Sequence, residues 1–524
     1  MMDRLKAVYR NEYVLYPLLL CVVFLFSFSY IFDGKVDLNG DNAKYYLLAK
    51  SIAQGDGYAQ IYAPGEPATS VYPPGYPLLM SVVMLFTKSI TYQKILNGLL
   101  LLGAALVLFF SVDRLLDRPF LSFSLSAFSV VNVHLLEFST IMMSEMAFLL
   151  FSVLSFFFLI RLERKKPLQD PFFYFFLFAL AFSFHVRTQG IGLVGGVLFY
   201  FLLTRQWRHF AATAGGFVLL ALPWRIRNRV EGLGSSRYLE QLVQANPWRP
   251  ETGEVSVVGV LERFFDQGAM LVTKAIPESL FNFVTVNYKG EILPQQWLVG
   301  VLVLGVLLYG FWSFRTYRFF FLGYFLAVFV IVASWSATVD NRYLVTIIPF
   351  LHVGFFYGSY RIVQRLAEKA NSSLNVSTIM PAVFLVVGLL MVPQLGALRA
   401  QAERAYPAGY RNYFRSANEL GRKQGCGNAL VSCRKPALFY LFSNCQATRY
   451  AFSKNDEKIL REMMEKGVDY VVLDQLGFSS TARYLYPAIK ENRRLFRVVI
   501  KKEKPDTYVF QFDGERAKSM IGAK

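Results

Sequence analysis

Apolar and polar positions alternate along this chain in long blocks rather than residue by residue. About eleven apolar blocks occur, at 13–32, 92–112, 119–133, 145–160, 171–186, 189–204, 210–224, 297–314, 319–335, 343–360 and 378–397. Several reach the roughly 20 residues that a helix needs to cross a bilayer. Basic turns follow every second block, among them Arg161–Lys166, Arg205–His209, Arg315–Arg318 and Arg361–Lys369. With Arg4, Lys6 and Arg10 ahead of the first block, the positive-inside rule puts the N-terminus in the cytoplasm. The first run, Tyr13–Phe32, is too long for a signal-peptide core and is read as a retained span. A shorter apolar piece, Pro77–Phe86, is expected to be re-entrant or interfacial. An odd number of crossings leaves the C-terminal tail outside.

The period changes in that tail. Ala429–Cys433, Asp469–Asp474, Phe496–Ile500 and Thr507–Phe512 have the short apolar runs of strands. Lys454–Lys466 has helical spacing, with Ile459, Leu460, Met463 and Met464 on one face. The pattern therefore predicts a polytopic α-helical membrane protein of about 11 transmembrane helices with a small C-terminal extracytoplasmic α/β domain. The expected boundaries are 1–398 for the membrane part and 399–524 for the soluble domain, with external loops at 33–91 and 225–296. The expected location is a cytoplasmic (inner) membrane, with the C-terminal domain in the periplasm.

Composition agrees with the pattern. Hydrophobic residues make up 54% and aromatic residues 16% of the 524; 17% are charged, where soluble proteins carry about 25%. The formal net charge is +19. Positive-inside loops and a solvated basic domain account for part of it, and attraction to lipid phosphates for the rest. The basic residues are scattered without a reader motif, which argues against nucleic acid. Of four cysteines, Cys426, Cys433 and Cys445 lie close together in the tail. One disulfide with a free thiol and three free thiols both remain open. There is no zinc spacing.

The first external loop is polar, aromatic and rich in turns, which suits a functional segment better than a connector. Asp41 precedes Lys44, Tyr45 and Tyr46; Gly55-Asp56-Gly57-Tyr58 breaks the following helix, and Tyr72-Pro73-Pro74-Gly75-Tyr76-Pro77 closes the loop. Asp41 is either a helix cap or a general base. Glu145, at the start of the fourth block, either sits among headgroups or acts with Asp41 to orient an acceptor or hold a metal, a divalent Mg or Mn ion being the candidate. His134 and Glu137 are weaker candidates in the same turn. Arg187, Arg225, Arg227 and Arg342 all fall at expected outer ends, where short loops disfavour arginine. Snorkelling explains one or two of them; four suggest a bound phosphate or pyrophosphate. A carboxylate base and an arginine clamp at a membrane surface fit transfer from a lipid-phosphate donor.

Gly40-Asp41-Asn42-Ala43-Lys44-Tyr45-Tyr46, Gly55-Asp56-Gly57-Tyr58 and Tyr72–Pro77 together resemble the first external loop of the GT-C glycosyltransferases. The branch resembled includes the bacterial lipid A aminoarabinose transferase and the protein O-mannosyltransferases. Ser144-Glu145, Pro223-Trp224-Arg225-Ile226-Arg227-Asn228 and Asn341-Arg342-Tyr343 agree in order and position. The resemblance covers nearly the whole chain. It implies a GT-C-like fold and a polyprenyl-phosphate-sugar donor, with inversion at the anomeric carbon and an extracytoplasmic lipid, glycan or protein as acceptor. It carries the catalytic or acceptor-orienting carboxylate onto Asp41 and the second acidic role onto Glu145. Lys44, Arg225 or Arg227, and Arg342 with Tyr343 fall on the donor-phosphate side, and Arg187 is grouped with them. Tyr45, Tyr46, Tyr58, Tyr72, Tyr76, His134 and Glu137 remain as the acceptor or sugar pocket. Two departures withhold the acceptor. Tyr72–Pro77 replaces a Glu-Lys-Pro element of the aminoarabinose transferase, and Asp41-Asn42 stands where the mannosyltransferases have Asp-Glu. The competing readings are a flippase or transporter of a lipid-linked saccharide and a surface-polysaccharide polymerase or ligase. Polar groups gathered at one surface, rather than at mid-bilayer, disfavour the transporter.

Overall fold

The computed structural model describes residues 2–163, 166–233, 243–246, 252–336, 340–424, 426–427 and 429–522. Two residues of the basic turn Arg161–Lys166 and parts of the long loop 225–296 lie outside the described residues.

A helix stands at each expected apolar block. They are α1 (Met2–Ile31), α4 (Ile90–Leu116), α5 (Pro119–Ala127), α7 (Glu145–Leu159), α8 (Pro171–Val186), α9 (Gly190–Leu203), α10 (Trp207–Val230), α13 (Pro294–Trp312), α14 (Arg318–Ala333), α15 (Ile348–Lys369) and α16 (Val376–Met391), with α11 (Val257–Met270) and α12 (Ile276–Leu280) in the long loop before α13. Among the described residues, five helical stretches are long and apolar enough to cross a membrane on their own: Asn11–Ile31, Ile90–Leu116, Pro294–Trp312, Arg315–Ala333 and Val376–Lys423. A sixth arises if Pro119–Val130 and Val133–Ser139, bent by 58°, make one broken span. The difference from eleven has local causes. Helices α7, α8 and α9 have 15, 16 and 14 residues, short of a full crossing. Helix α10 has 24 residues but ends in Arg225, Arg227 and Arg229, and α15 turns polar after Tyr360. Exposed apolar belts on α10 (Val218, Leu219, Leu222), α13 (Leu298, Val301, Leu302) and α16 (Val386, Leu389, Leu390) are surfaces that water disfavours and lipid accepts. The chain is an α-helical membrane protein.

The first loop folds onto one end of this bundle. Helix α2 (Asp41–Gln54) starts after Gly40, whose φ of 93° is left-handed, and stops at Gly55, also left-handed. Helix α3 (Gly75–Met84) is the short apolar piece expected at 77–86. A Cβ on Gly75 would lie 2.8 Å from the backbone carbonyl of His185, so only glycine lets α3 approach the end of α8 this closely. Helix α6 (Val133–Ser139) is capped by Asn132, whose side chain accepts from the amides of His134 and Leu135.

The tail is an α/β unit. Helix α17 (Leu395–Glu403) continues α16 through the expected boundary at 399, and α18 (Ala408–Gln424) leads into the sheet. The strands are β1 (Val431–Ser432), β2 (Ala447–Thr448), β3 (Tyr470–Leu473), β4 (Phe496–Lys502) and β5 (Thr507–Phe512), in the order β2-β1-β3-β5-β4. β1 pairs parallel with β2 and β3, while β5 runs antiparallel to β3 and β4. Helix α19 (Pro436–Ser443) follows β1, and α20 (Asp456–Glu465) fills the expected helix. Cys426 and Cys445 form a disulfide and Cys433 is a buried free thiol, which resolves the open cysteine pattern into one pair and one thiol.

This unit sits on the first loop. Tyr406 Oη receives the Val36 amide at 2.8 Å, Lys35 Nζ donates to the Arg404 carbonyl at 2.6 Å, and the Ala447 amide donates to the Tyr62 carbonyl at 2.7 Å.

Candidate active site

Two carboxylates organise the polar end of the bundle. Asp41 opens α2 and its side chain is 37% exposed. It makes no cap: Gly40 precedes the helix, and the Asp41 amide is itself held by the Asn39 side chain at 2.9 Å. Its Oδ1 accepts a hydrogen bond from Tyr72 Oη at 2.8 Å. Lys44, one turn on, stands 3.5 Å from the same oxygen and donates to Tyr72 Oη at 3.2 Å. Burial holds the Lys44 ammonium below its usual range, against the opposing pull of Asp41. Burial and the Asp41 charge keep the Tyr72 phenol protonated well beyond neutral pH.

Glu145 is the opposite case. It is fully buried at the first turn of α7. Asn97 fixes the approach by donating to the carbonyls of Ile141 and Met143. Arg187, at the end of α8, places Nη1 2.8 Å from Glu145 Oε1 and 3.0 Å from Ser144 Oγ. Arg342 places Nε 3.7 Å from the same Oε1. The side chains of Arg187 and Arg342 are 23% and 41% exposed, so each is held by the buried carboxylate while part of it stays open to solvent.

The two groups are joined. Tyr45, one turn along α2 from Asp41, packs its ring 4.7 Å from Tyr72 and 5.1 Å from Tyr76. Its hydroxyl lies 3.1 Å from Ser144 Oγ, which also receives Arg187. Tyr72–Pro77 is thus a positioning element: Tyr72 orients Asp41, Gly75 docks the helix, and Tyr76 is buried beneath Tyr45.

The other expected residues are placed apart. Tyr46 donates to the Lys88 carbonyl at 2.7 Å and Tyr58 to the Tyr72 carbonyl at 3.0 Å, so both brace the loop. Arg227 donates to the carbonyls of Thr69 and Tyr58 at 2.7 and 2.9 Å and lies 4.9 Å from the Trp224 ring, which ties α10 to the loop. Arg225 is exposed on the same helix. The Tyr343 carbonyl accepts from Gln189 at 3.4 Å. The His134 ring meets Asn341 Nδ2 at 3.0 Å, and Asn341 also donates to Glu278 Oε2 at 3.2 Å, next to Arg342 in sequence. Glu137 is half-buried near Asp37 and Asp340, whose charges act on it. As for the divalent cation, no three His, Cys, Asp or Glu side chains gather as a metal site among the described residues. Asp41 and Glu145 each pair with cations of this chain, Lys44 for the first and Arg187 with Arg342 for the second.

Residues from the C-terminal unit complete the Asp41 side, and the sequence reading missed them. Lys435 donates Nζ to the Asn39 carbonyl and packs against Gly40. Burial, Arg434 and Lys44 bring it down to about 8, with Asp41 pulling the other way. The signal was present: Arg434-Lys435-Pro436 follows a parallel strand and opens a helix, the end of an α/β sheet where sites form.

No protein-family model and no curated protein match this sequence. Solved structures do match in fold. The oligosaccharyltransferase of Archaeoglobus fulgidus, tethered with an acceptor peptide containing the NVT sequon, aligns with TM-score 0.57 at 10% identity, over 96% of this chain and 74% of that one. ArnT from Cupriavidus metallidurans in the apo state aligns with TM-score 0.57 at 13% identity, over 96% and 98%. The same enzyme bound to undecaprenyl phosphate gives 0.54 at 12%, over 95% and 97%. The chain has the GT-C fold, as the motifs of its first loop suggested.

Proposed function

We propose that this protein is a glycosyltransferase that moves a sugar from a polyprenyl-phosphate donor to an extracytoplasmic acceptor. The observation that carries the reading is the pairing of an accessible carboxylate, Asp41, with an arginine clamp fixed by a buried one, Glu145. The fold likeness to ArnT, solved with undecaprenyl phosphate, supports the donor class. The disulfide Cys426–Cys445 supports an oxidising compartment for the C-terminal unit, and eleven spans would put that unit on the far side of the membrane from the N-terminus.

In this mechanism the acceptor hydroxyl or amine attacks the anomeric carbon as Asp41 takes its proton. The bond from that carbon to the phosphate oxygen breaks, and polyprenyl phosphate leaves. Arg187 and Arg342 meet the charge that grows on the leaving phosphate. Direct displacement gives inversion. Glu145 acts through the two arginines and does not touch the reacting atoms. Lys44 and Tyr72 set the position of the Asp41 carboxylate.

The test supplies purified protein with a radiolabelled polyprenyl-phosphate sugar and cell-envelope fractions as acceptors. Label should move to an acceptor with equal release of polyprenyl phosphate. Movement of intact donor across liposomes, with no transfer, would replace this reading with a transporter.

A further inference from the structure

The cations contributed by the C-terminal unit have no task in the transfer just described. Arg434 stacks 4.3 Å from the Phe478 ring and 5.2 Å from Phe452; Arg449 lies 5.4 Å from Phe452, and Lys435 4.8 Å from Phe478. Two aromatic rings thus hold three cations together. Their charges also reach Lys44: Arg449 and Arg434 push Lys44 down, Arg434 and Lys44 push Lys435 down, and Arg449 pushes Arg434 down, each on top of the larger effect of burial. Asp41 and Asp37 offset part of the charge on Lys435, and buried Asp474 part of that on Arg434. Like charges held this close are unfavourable until an anion lies between them.

The geometry points to a second anion subsite, on the domain side of Asp41, that takes a phosphate carried by the acceptor. This rests on the transferase reading above and deepens it. The donor's phosphate is tethered to a lipid tail and is assigned to Arg187 and Arg342 at the ends of bundle helices. The Arg434, Lys435 and Arg449 group belongs to the soluble unit, and its Lys435 touches Asn39 and Gly40 beside Asp41, where the acceptor's nucleophile must lose its proton. A phosphate next to that nucleophile would be gripped on one side by the domain and on the other by Lys44. Acceptor choice would then lie in the C-terminal unit.

The test uses full-length protein in phosphatidylcholine nanodiscs. Undecaprenyl phosphate binding is measured first, then inorganic phosphate binding with the undecaprenyl phosphate left in place. Wild-type protein should bind both. Arg449→Gln, at an exposed position, and the double variant Arg434→Gln/Arg449→Gln should weaken inorganic phosphate about tenfold or more. They should leave undecaprenyl phosphate unchanged, and Arg449→Lys should restore part of the loss. Arg342→Gln should weaken undecaprenyl phosphate instead. Competition by phosphatidic acid in the disc would assign the acceptor phosphate to a lipid; its absence would assign it to a soluble glycan. Equal inorganic phosphate binding by Arg449→Gln, the double variant and wild type would overturn the subsite. So would a loss of undecaprenyl phosphate in the domain variants as large as in Arg342→Gln. Failure of wild-type protein to bind undecaprenyl phosphate at all would instead strike the transferase reading.

Discussion

Replacing Glu145 by glutamine keeps the shape of the arginine clamp and removes its charge. At 2.8 Å the Glu145–Arg187 contact is worth about 6 kcal/mol of raw attraction at an effective dielectric of 20. Desolvation takes much of this back, and breaking one side of a buried pair costs about 3–5 kcal/mol. Arg187 and Arg342 are partly exposed, so water relieves some of the loss and about 2–4 kcal/mol is expected. Glu145→Gln should therefore unfold at a clearly lower temperature in detergent. The two guanidiniums, no longer neutralised from below, should gain more from an added phosphate. Undecaprenyl phosphate should then raise the melting temperature of Glu145→Gln by more than that of wild-type protein. Thermal unfolding with and without the lipid measures both effects. A variant as stable as wild type, or one with an equal or smaller lipid-induced rise, would refute the clamp.

Three further outcomes are expected. Tyr72→Phe removes the 2.8 Å hydrogen bond to Asp41 and should lower kcat about tenfold or more with KM for donor little changed, measured in the transfer assay. Lys435 is cationic below about pH 8, so inorganic phosphate binding on the domain side should weaken as pH rises through that value, and Lys435→Arg should flatten the profile, read by a titration from acidic to alkaline buffer. Reducing Cys426–Cys445, whose partners are 19 residues apart, should cost the C-terminal unit about 3 kcal/mol, seen as a lower melting temperature in dithiothreitol.

Much of the architecture was legible because membrane helices announce themselves. Helices stand at every apolar block, and the tail's strands and helix fall where the period changed. What the blocks did not convey was which of them are full spans. A run of 14–16 apolar residues, as in α7, α8 and α9, looks the same in sequence whether it crosses alone or packs inside a bundle. Asp41 and Glu145 were legible as carboxylates at helix starts, yet their difference was not. Asp41 is open to solvent and Glu145 is sealed beneath two arginines, a contrast that comes from tertiary packing alone. The four arginines looked equivalent and are not. Arg187 and Arg342 share a carboxylate, while Arg227 is committed to the carbonyls of Thr69 and Tyr58. Lys435 reaches the site from 394 positions beyond Asp41 (435 − 41), a distance no local pattern spans.

The central claim is that Asp41 takes the proton in a transfer from a lipid-phosphate donor. The most direct measurement compares Asp41→Asn with wild type in nanodiscs, reading transfer of labelled sugar, binding of undecaprenyl phosphate and melting temperature on the same preparation. The account predicts that transfer falls by about a hundredfold or more while lipid binding and stability stay near wild type. Transfer at the wild-type rate by a folded, lipid-binding Asp41→Asn protein would contradict it.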